Sequence, residues 1–301
     1  MCMHSSFPKK PWRVWHLATE AVGAFIERNQ ARLPRMAAAT GLPSISSPLL
    51  YINIGSNVNP ILPPTRNTSV GVLVFEPIVP HLIAPRDRQT IVAAAVGSTS
   101  GFATMGVYNI GGLSSSLSSP AIGTGRRWAQ GNKNTTTVRV FGMADVLHAY
   151  RRHVIWYLKT DMQGHDFNAL KSAGHLLRKV PYIMAEAGIE NQHSYANDEN
   201  DYCRHHLPLF TSLGYAPMGL VVSGGRWLLS PGGGLRAAQE YCDGLQHVRP
   251  RAGGLEGNGF WRRTDAILGA PFETQFPRQS TNWSQLKLKH RYLPPRLHLR
   301  S

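Results

Sequence analysis

The stretch WYLKTDMQGHDFNALKSAG, residues 156–174, changes character halfway along its length. It begins with apolar residues and continues with a group of polar side chains between Lys159 and Asp166. Apolar residues then recur every three positions, the spacing of one helix face: Phe167, Leu170 and Ala173. A buried strand that ends in polar residues and leads into a helix is typical of a parallel sheet, which binds ligands beyond the carboxyl ends of its strands.

Four other short apolar runs have the length and composition of buried strands. They are LLYINIGSN (49–57), GVLVFEP (71–77), TIVAAAVGS (90–98) and VPYIMAEAGIE (180–190), and VIWYLKTD (154–161) belongs to the same class. A further short strand is expected at the start of the Gly/Ser-rich segment 101–117. Because these runs alternate with helical patterns, the sequence predicts an α/β domain built on a largely parallel sheet.

The 301 residues divide into a central domain and two basic ends. Residues 12–38 have the apolar spacing of an amphipathic helix, so we expect an N-terminal basic segment over 1–48. The central domain is predicted to cover 49–243. From 244 to 301 the chain is rich in Arg, Gly and Pro and has few periodic apolar positions, so we expect a loosely packed or poorly ordered tail.

The charge balance is strongly basic, with 32 Lys and Arg against 17 Asp and Glu and a net charge of +15. Such a balance favours anionic partners, either nucleic acid or an acidic membrane surface. The simpler interpretation is a basic tail on an ordinary domain, since ten Lys and Arg face three Asp and Glu from residue 249 onward. Because of this charge, a nucleic-acid-binding protein is the main non-enzymatic alternative, although no RNA- or DNA-binding signature is present.

The three cysteines, Cys2, Cys203 and Cys242, are too few and too scattered to predict a disulfide framework. No Cys/His spacing typical of zinc sites occurs, so no metal is predicted. No apolar run reaches the roughly eighteen residues of a membrane span, so no transmembrane segment is predicted. We expect a cytoplasmic protein, with a transit peptide as the alternative because the first twenty or so residues are basic.

Three features at predicted strand ends indicate a ligand site. Gly55-Ser56-Asn57 would let a ligand approach the backbone closely. Glu76, at the end of the next strand, could accept both hydroxyls of a ribose, or it could be a solvated loop carboxylate. Asp161 could point at the reactive end of the ligand, or it could cap the following helix.

These residues resemble the motifs of FkbM-type methyltransferases. LKTDMQGHDFNAL is similar to the family signature, which reads approximately L-K-x-D-x-E-G-x-E-x-x-x-L. INIGSNVNP, VLVFEP and the segment that begins AVGSTSGF resemble the earlier family elements, and PYIMAEAGIE and LFTSLGYAP resemble the later ones. The resemblance covers about residues 49–220.

The resemblance implies a class I, Rossmann-like methyltransferase fold with a seven-stranded, mostly parallel sheet. It also implies S-adenosylmethionine as cofactor and O-methylation of a hydroxyl on a small molecule or a sugar. The implied cofactor-binding residues are Asn53, Gly55, Ser56, Asn57, Glu76 and Val96. The implied catalytic residues are Asp161, Lys159 and Glu186, with Asp161 orienting the acceptor or removing its proton.

The chain departs from the family pattern at four positions. Asn53 stands where the family usually has Asp, and Asn59 stands where it usually has Gly. Gln163 and Asp166 each replace a usual Glu. These changes give a second hypothesis, a catalytically weakened relative that only binds. A nicotinamide oxidoreductase is a weaker alternative, because the chain has no GxGxxG at the first strand.

Overall fold

The computed structural model describes residues 41–57, 60–63, 69–78, 83–84, 86–107, 115–117, 134–189, 192–193, 199–222, 226–245, 251–252 and 256–266. The predicted amphipathic helix at 12–38 and most of the predicted tail lie outside the described residues.

The strands, numbered in chain order, are β1 (Leu49–Ile54), β2 (Val70–Phe75), β3 (Gln89–Val92), β4 (Ala95–Gly97), β5 (Gly101–Val107), β6 (Ser115–Ser116), β7 (Asn134–Gly142), β8 (Val154–Thr160), β9 (Tyr182–Gly188), β10 (Gln192–His193), β11 (Tyr215–Val222), β12 (Trp227–Leu229), β13 (Arg251–Ala252) and β14 (Glu256–Arg263). The α-helices are α1 (Met143–Ala149), α2 (Asp166–Ala173), α3 (Leu207–Ser212) and α4 (Gly234–Leu245). A 3₁₀-helix (Gly174–Lys179) extends α2, and a π-helix (Tyr202–His206) precedes α3.

The main sheet has eight strands in the order β12-β11-β14-β9-β8-β1-β2-β3. The five strands from β9 to β3 pair in parallel, whereas β14, β11 and β12 are joined by antiparallel pairs. The predicted α/β class is correct, but the sheet is mixed and has one strand more than the expected seven. Strands β1 and β2 are buried along their whole length, as their unbroken apolar sequences predicted.

The predicted third strand, 90–98, is in fact two strands in two different sheets. Its first part, β3, is the edge of the main sheet, and its second part, β4, begins a four-stranded sheet of order β4-β7-β5-β6. We call this four-stranded sheet the side sheet. The expected short strand at the start of 101–117 is β5, which pairs with β7 over its full length.

Strand β14 corrects the predicted boundary at residue 243. It lies between β9 and β11, with Trp261 fully buried and stacked on Phe210 at 4.5 Å between ring centroids. The boundary also cuts through helix α4. The domain therefore extends at least to Arg263, and only the residues beyond it can form the loosely packed tail that we predicted.

A disulfide joins Cys203 of the π-helix to Cys242 of α4, although the spacing of the cysteines predicted none. The two residues are 39 positions apart, and their Cα atoms are 5.5 Å apart. The wide separation in sequence did not predict this disulfide. The two cysteines meet because α4 packs against β11, beside the π-helix and α3. Within the described part of the chain, no helix is long and apolar enough to cross a membrane.

Candidate functional site

A crevice opens where β1, β2 and β8 reach their carboxyl ends. It holds about 620 Å³ of space, including the open solvent at its mouth. The residues that line it are Ile54, Gly55, Asn57, Phe75, Glu76, Pro77, Ala95, Val96, Met105, Leu117, Asp161, Met162 and Gln163. Five of the nine predicted site residues are therefore in its wall: Gly55, Asn57, Glu76, Val96 and Asp161.

The turn after β1 packs directly on the backbone that follows β8. Gly55 has a φ of +64°, and a Cβ built on it would lie 1.8 Å from the carbonyl oxygen of Asp161. No other residue fits this position, because any side chain would collide with a main-chain atom. The buried ammonium of Lys159 fixes the same contact, since it donates to the carbonyl of Gly55 at 2.8 Å and to Asp161 Oδ2 at 3.1 Å.

Glu76 is held at the end of β2 by two backbone amides. Its Oε2 accepts from the N–H of Asn57 at 2.9 Å, and its Oε1 accepts from the N–H of Ile78 at 3.0 Å. The side chain is buried, with 5% of the residue exposed, yet it contributes to the crevice wall. A carboxylate held this way keeps a fixed orientation toward the crevice.

Asn53 and Ser56 are buried beside the crevice but do not line it. The Asn53 side chain donates to the carbonyl of Ile61 at 3.0 Å and accepts from the N–H of the same residue at 2.8 Å. A carboxylate at this position could accept a hydrogen bond but could not donate one. The Asn53 amide is therefore the better partner for the backbone of Ile61. Ser56 Oγ makes a long hydrogen bond of 3.4 Å to the carbonyl of Asn57.

On the opposite side of the crevice, Gln163 joins two carboxylates. Its Nε2 donates to Asp161 Oδ1 at 2.9 Å and to Glu186 Oε2 at 3.2 Å. The residue adopts a left-handed φ of +53°, which turns its side chain back between the two acids. Asp161 is thus held by an ammonium and an amide. It does not cap α2, whose N-cap residue is His165.

Two buried acids, Asp166 and Glu186, interact with the charge of Asp161. Burial, followed by the charge of Asp161, raises the pKa of Asp166 to about 7, while its oxygens accept from the N–H of Met162 at 3.0 and 3.2 Å. Burial also raises the pKa of Glu186 well above its ordinary value, and the charges of Asp161, Glu256 and Asp166 act in the same direction. Carboxyl groups with raised pKa values are suited to taking and releasing protons near neutral pH.

The side sheet supplies an apolar wall that sequence analysis missed. Met105 and Leu117 face the crevice together with Val96, and Ser116 Oγ donates to the carbonyl of Gln163 at 2.7 Å. The side sheet is therefore hydrogen-bonded to the turn that holds the carboxylates. No signal in the Gly/Ser-rich sequence around Ser116 indicated this contact, because it depends on where β6 pairs with β5 in the side sheet.

Asn200 is a second site residue that sequence reasoning missed. Its side chain donates to the carbonyl of Glu186 at 3.2 Å, accepts from the N–H of Phe167 at 3.0 Å and lies 2.8 Å from Nε2 of His206. It is buried and connects the end of β9 with the start of α2 and with the π-helix. A lone asparagine in a polar stretch gives no sequence signal for such a role.

The chain is similar to a known protein family. The family model described as the methyltransferase FkbM domain matches residues 57–217, more than half of the chain. The match contains Glu76, Asp161 and Glu186 and begins just after the Gly55 turn. No curated protein and no protein of solved structure matches the chain. Because the family model covers most of the domain and the crevice within it, the chain belongs to the FkbM methyltransferase family.

Proposed function

We propose that the protein is an S-adenosylmethionine-dependent O-methyltransferase whose cofactor binds in the crevice. One observation carries the proposal: a fixed carboxylate and an apolar wall face each other across the same space. Glu76 is oriented by two backbone amides and is suited to accept the two hydroxyls of a ribose. Val96, Met105 and Leu117 line the same crevice and offer an apolar surface for a nucleoside base.

The acids on the other side would serve the methyl acceptor. When bound, S-adenosylmethionine supplies a methyl group on a sulfonium, and transfer requires the acceptor oxygen in line with it. Asp161 lines the crevice, so it is suited to orient a hydroxyl by accepting its hydrogen bond. Glu186 is linked to Asp161 through Gln163, and its raised pKa favours the uncharged form, so Asp161 is the carboxylate that would accept the proton of the hydroxyl.

Lys159 would act on the site without touching the cofactor. The residue is buried, and its ammonium is bonded to Gly55 and Asp161, so it holds the two sides of the crevice at a fixed separation. The presence of Asn53, where the family usually has Asp, also has a structural explanation. Its side chain makes two hydrogen bonds to the backbone of Ile61. This observation favours an active enzyme over a weakened relative, since the substitution serves the fold and leaves the crevice wall intact.

Calorimetric titration of S-adenosylhomocysteine into the full-length protein tests the proposal. We expect saturable binding with one site per chain. Mass spectrometry of the purified protein should also detect S-adenosylmethionine or S-adenosylhomocysteine carried through purification. Absence of binding at millimolar S-adenosylhomocysteine would reject the proposed cofactor, and with it the proposed reaction.

A further inference from the structure

Asn200 holds the end of β9 and the start of α2 with one side-chain amide. The amide nitrogen donates to the carbonyl of Glu186 at 3.2 Å, and the amide oxygen accepts from the N–H of Phe167 at 3.0 Å. The main chain adds a further bond to the same strand, since the N–H of Gly188 donates to the carbonyl of Asn200 at 2.7 Å. Asn200 therefore fixes the two elements that carry the buried acids of the site.

Both elements are hydrogen-bonded to the turn of Asp161, Met162 and Gln163 that follows β8. On β9, the Glu186 carboxylate accepts from the side-chain amide of Gln163. In α2, the Asp166 carboxylate accepts from the N–H of Met162. A shift of either element would therefore move the turn, and the Asp161 carboxylate with it. The position of Asp161 thus depends on two elements that a single amide holds.

His206, the last residue of the π-helix, holds the Asn200 amide in place. Its Nε2 lies 2.8 Å from the side-chain oxygen of Asn200, which also accepts from the N–H of Phe167, so Nε2 carries a proton and donates it. The ring is fully buried, and burial, followed by the charge of His205, lowers the pKa of His206 to about 3. The ring is therefore neutral throughout the physiological pH range, and the donor on Nε2 is permanent.

Packing alone does not explain a histidine at position 206. Its ring centroid lies 5.8 Å from that of Phe167 and 5.9 Å from that of Phe210. A phenylalanine could provide such packing, but it has no N–H group to donate. Burial of a polar ring costs free energy unless its polar atoms are hydrogen-bonded, and within the described residues Nδ1 has no partner. The bond to Asn200 is therefore the feature for which a buried imidazole is suited.

We infer that His206 is a positioning residue of the enzyme, which acts through Asn200 to hold Asp161 and Glu186 in the arrangement that the reaction requires. His206 does not line the crevice, so it acts without touching a ligand there. Its place on a π-helix agrees with this role, because such turns occur frequently at functional sites. The inference rests on the proposed function for the identity of the reaction, but the effect of His206 on the acids can be measured without a methyl acceptor.

Two variants of the full-length protein separate the hydrogen bond from the packing. His206→Phe keeps a buried aromatic ring and removes the donor. His206→Gln removes the ring and keeps an N–H donor the same number of bonds from Cα as Nε2. His153→Phe is the matched control, because His153 Nε2 also bonds to a carbonyl oxygen, that of Ile45 at 3.1 Å, but precedes β8 at the end away from the crevice.

The first measurement is nuclear magnetic resonance of the carboxyl groups and of His206 as a function of pH. Burial is the main cause that raises the pKa of Asp166 to about 7, so loosening of the site in His206→Phe should lower it by about one pH unit. His206→Gln and His153→Phe should leave it unchanged. The charged or titratable groups that act on Asp166 are Asp161, Lys159 and Glu186. In the wild type, His206 should carry its proton on Nε2 alone, and a proton on Nδ1 would overturn the inference even if no variant folds.

The second measurement is methyl transfer from labelled S-adenosylmethionine to a panel of hydroxyl acceptors, with calorimetry of S-adenosylhomocysteine and urea unfolding on the same preparations. His206→Phe should lower transfer about tenfold or more and leave S-adenosylhomocysteine affinity within about twofold, whereas His206→Gln and His153→Phe should keep most of the transfer. An unchanged Asp166 titration in His206→Phe, or a changed titration with undiminished transfer, would reject the positioning role. If the titration changes as expected but the wild type does not bind S-adenosylhomocysteine, the link from His206 to the acids is confirmed and the proposed reaction fails.

Discussion

Gly55 and Asp161 are in backbone contact, so close that a Cβ on Gly55 would lie 1.8 Å from the Asp161 carbonyl oxygen. The contact brings the turn after β1, which borders the proposed cofactor site, against the turn that carries the acids. The two sides of the crevice are thus one packed unit, and a change on one side must move the other.

Gly55→Ala should therefore be costly for both stability and binding. The left-handed φ alone costs an alanine about 1–2 kcal/mol, and the collision with Asp161 should at least double that loss. Gly234→Ala is the matched control, because Gly234 also has a positive φ, +68°, but has nothing near its Cβ position. Urea unfolding of both variants measures the difference, and equal losses would show that the contact is unimportant.

Glu76→Ala should weaken S-adenosylhomocysteine binding about thirtyfold, or ~2 kcal/mol, because two charge-assisted hydrogen bonds to the ribose are lost and water replaces part of them. It should also lower the unfolding free energy by about 1–3 kcal/mol, since the N–H groups of Asn57 and Ile78 lose their acceptor. Glu76→Gln should lose less affinity. Calorimetry of both variants tests the assignment, and unchanged affinity in Glu76→Ala would refute it.

Asp161→Asn should leave S-adenosylhomocysteine affinity within a few-fold and lower methyl transfer by ~10²-fold. The reason is that the amide still accepts from Gln163 or Lys159, but it no longer orients a hydroxyl as a carboxylate does. Transfer is measured as tritium incorporated from labelled S-adenosylmethionine into a panel of sugar and small-molecule hydroxyl acceptors. Asp87→Asn is the control, since the Asp87 side chain is 98% exposed. Full activity in Asp161→Asn would give Asp161 a purely structural role.

A chain that ends at residue 250 should not fold, because it lacks β14 between β9 and β11. A chain that ends at residue 266 keeps every described strand and should fold. Trp261→Ala in the full-length protein should cost about 3–5 kcal/mol, as expected for a fully buried aromatic residue. Near-ultraviolet circular dichroism distinguishes these outcomes. A native spectrum from the shorter chain would return the domain boundary to the position that we predicted from the sequence.

Cys203→Ser should destabilise the protein by about 4 kcal/mol, the loop-closure value for a disulfide across 39 residues. Reduction of the wild type should have the same effect, whereas Cys2→Ser should have none. Thermal unfolding with and without a reductant measures this. Disulfides are rare in cytosolic proteins, so the redox state of this pair in cells also tests our expectation of a cytoplasmic protein.

The sequence by itself determined the local features, namely the buried strands and the residues that directly follow them in the chain. Strands β1, β2, β8 and β9 are mostly apolar and buried along nearly their whole length, as expected in a sheet that is covered on both faces. Gly55, Glu76 and Asp161 come directly after three of these strands, so their positions at one edge followed from the parallel direction alone. The family resemblance rests on the same local motifs.

Only the tertiary structure decided which distant segments meet. Strand β14 looks like a loop in sequence because it contains glycines, yet a Cβ on Gly257 would lie 2.7 Å from the Val221 carbonyl oxygen. Position 257 therefore needs a glycine, because the packing of β14 against β11 leaves no room for a side chain. Likewise, Ser116 reaches Gln163, Asn200 reaches Glu186, and Cys203 reaches Cys242 across 14 to 47 residues. Such contacts leave no periodic pattern, because they depend on how separately formed elements pack together.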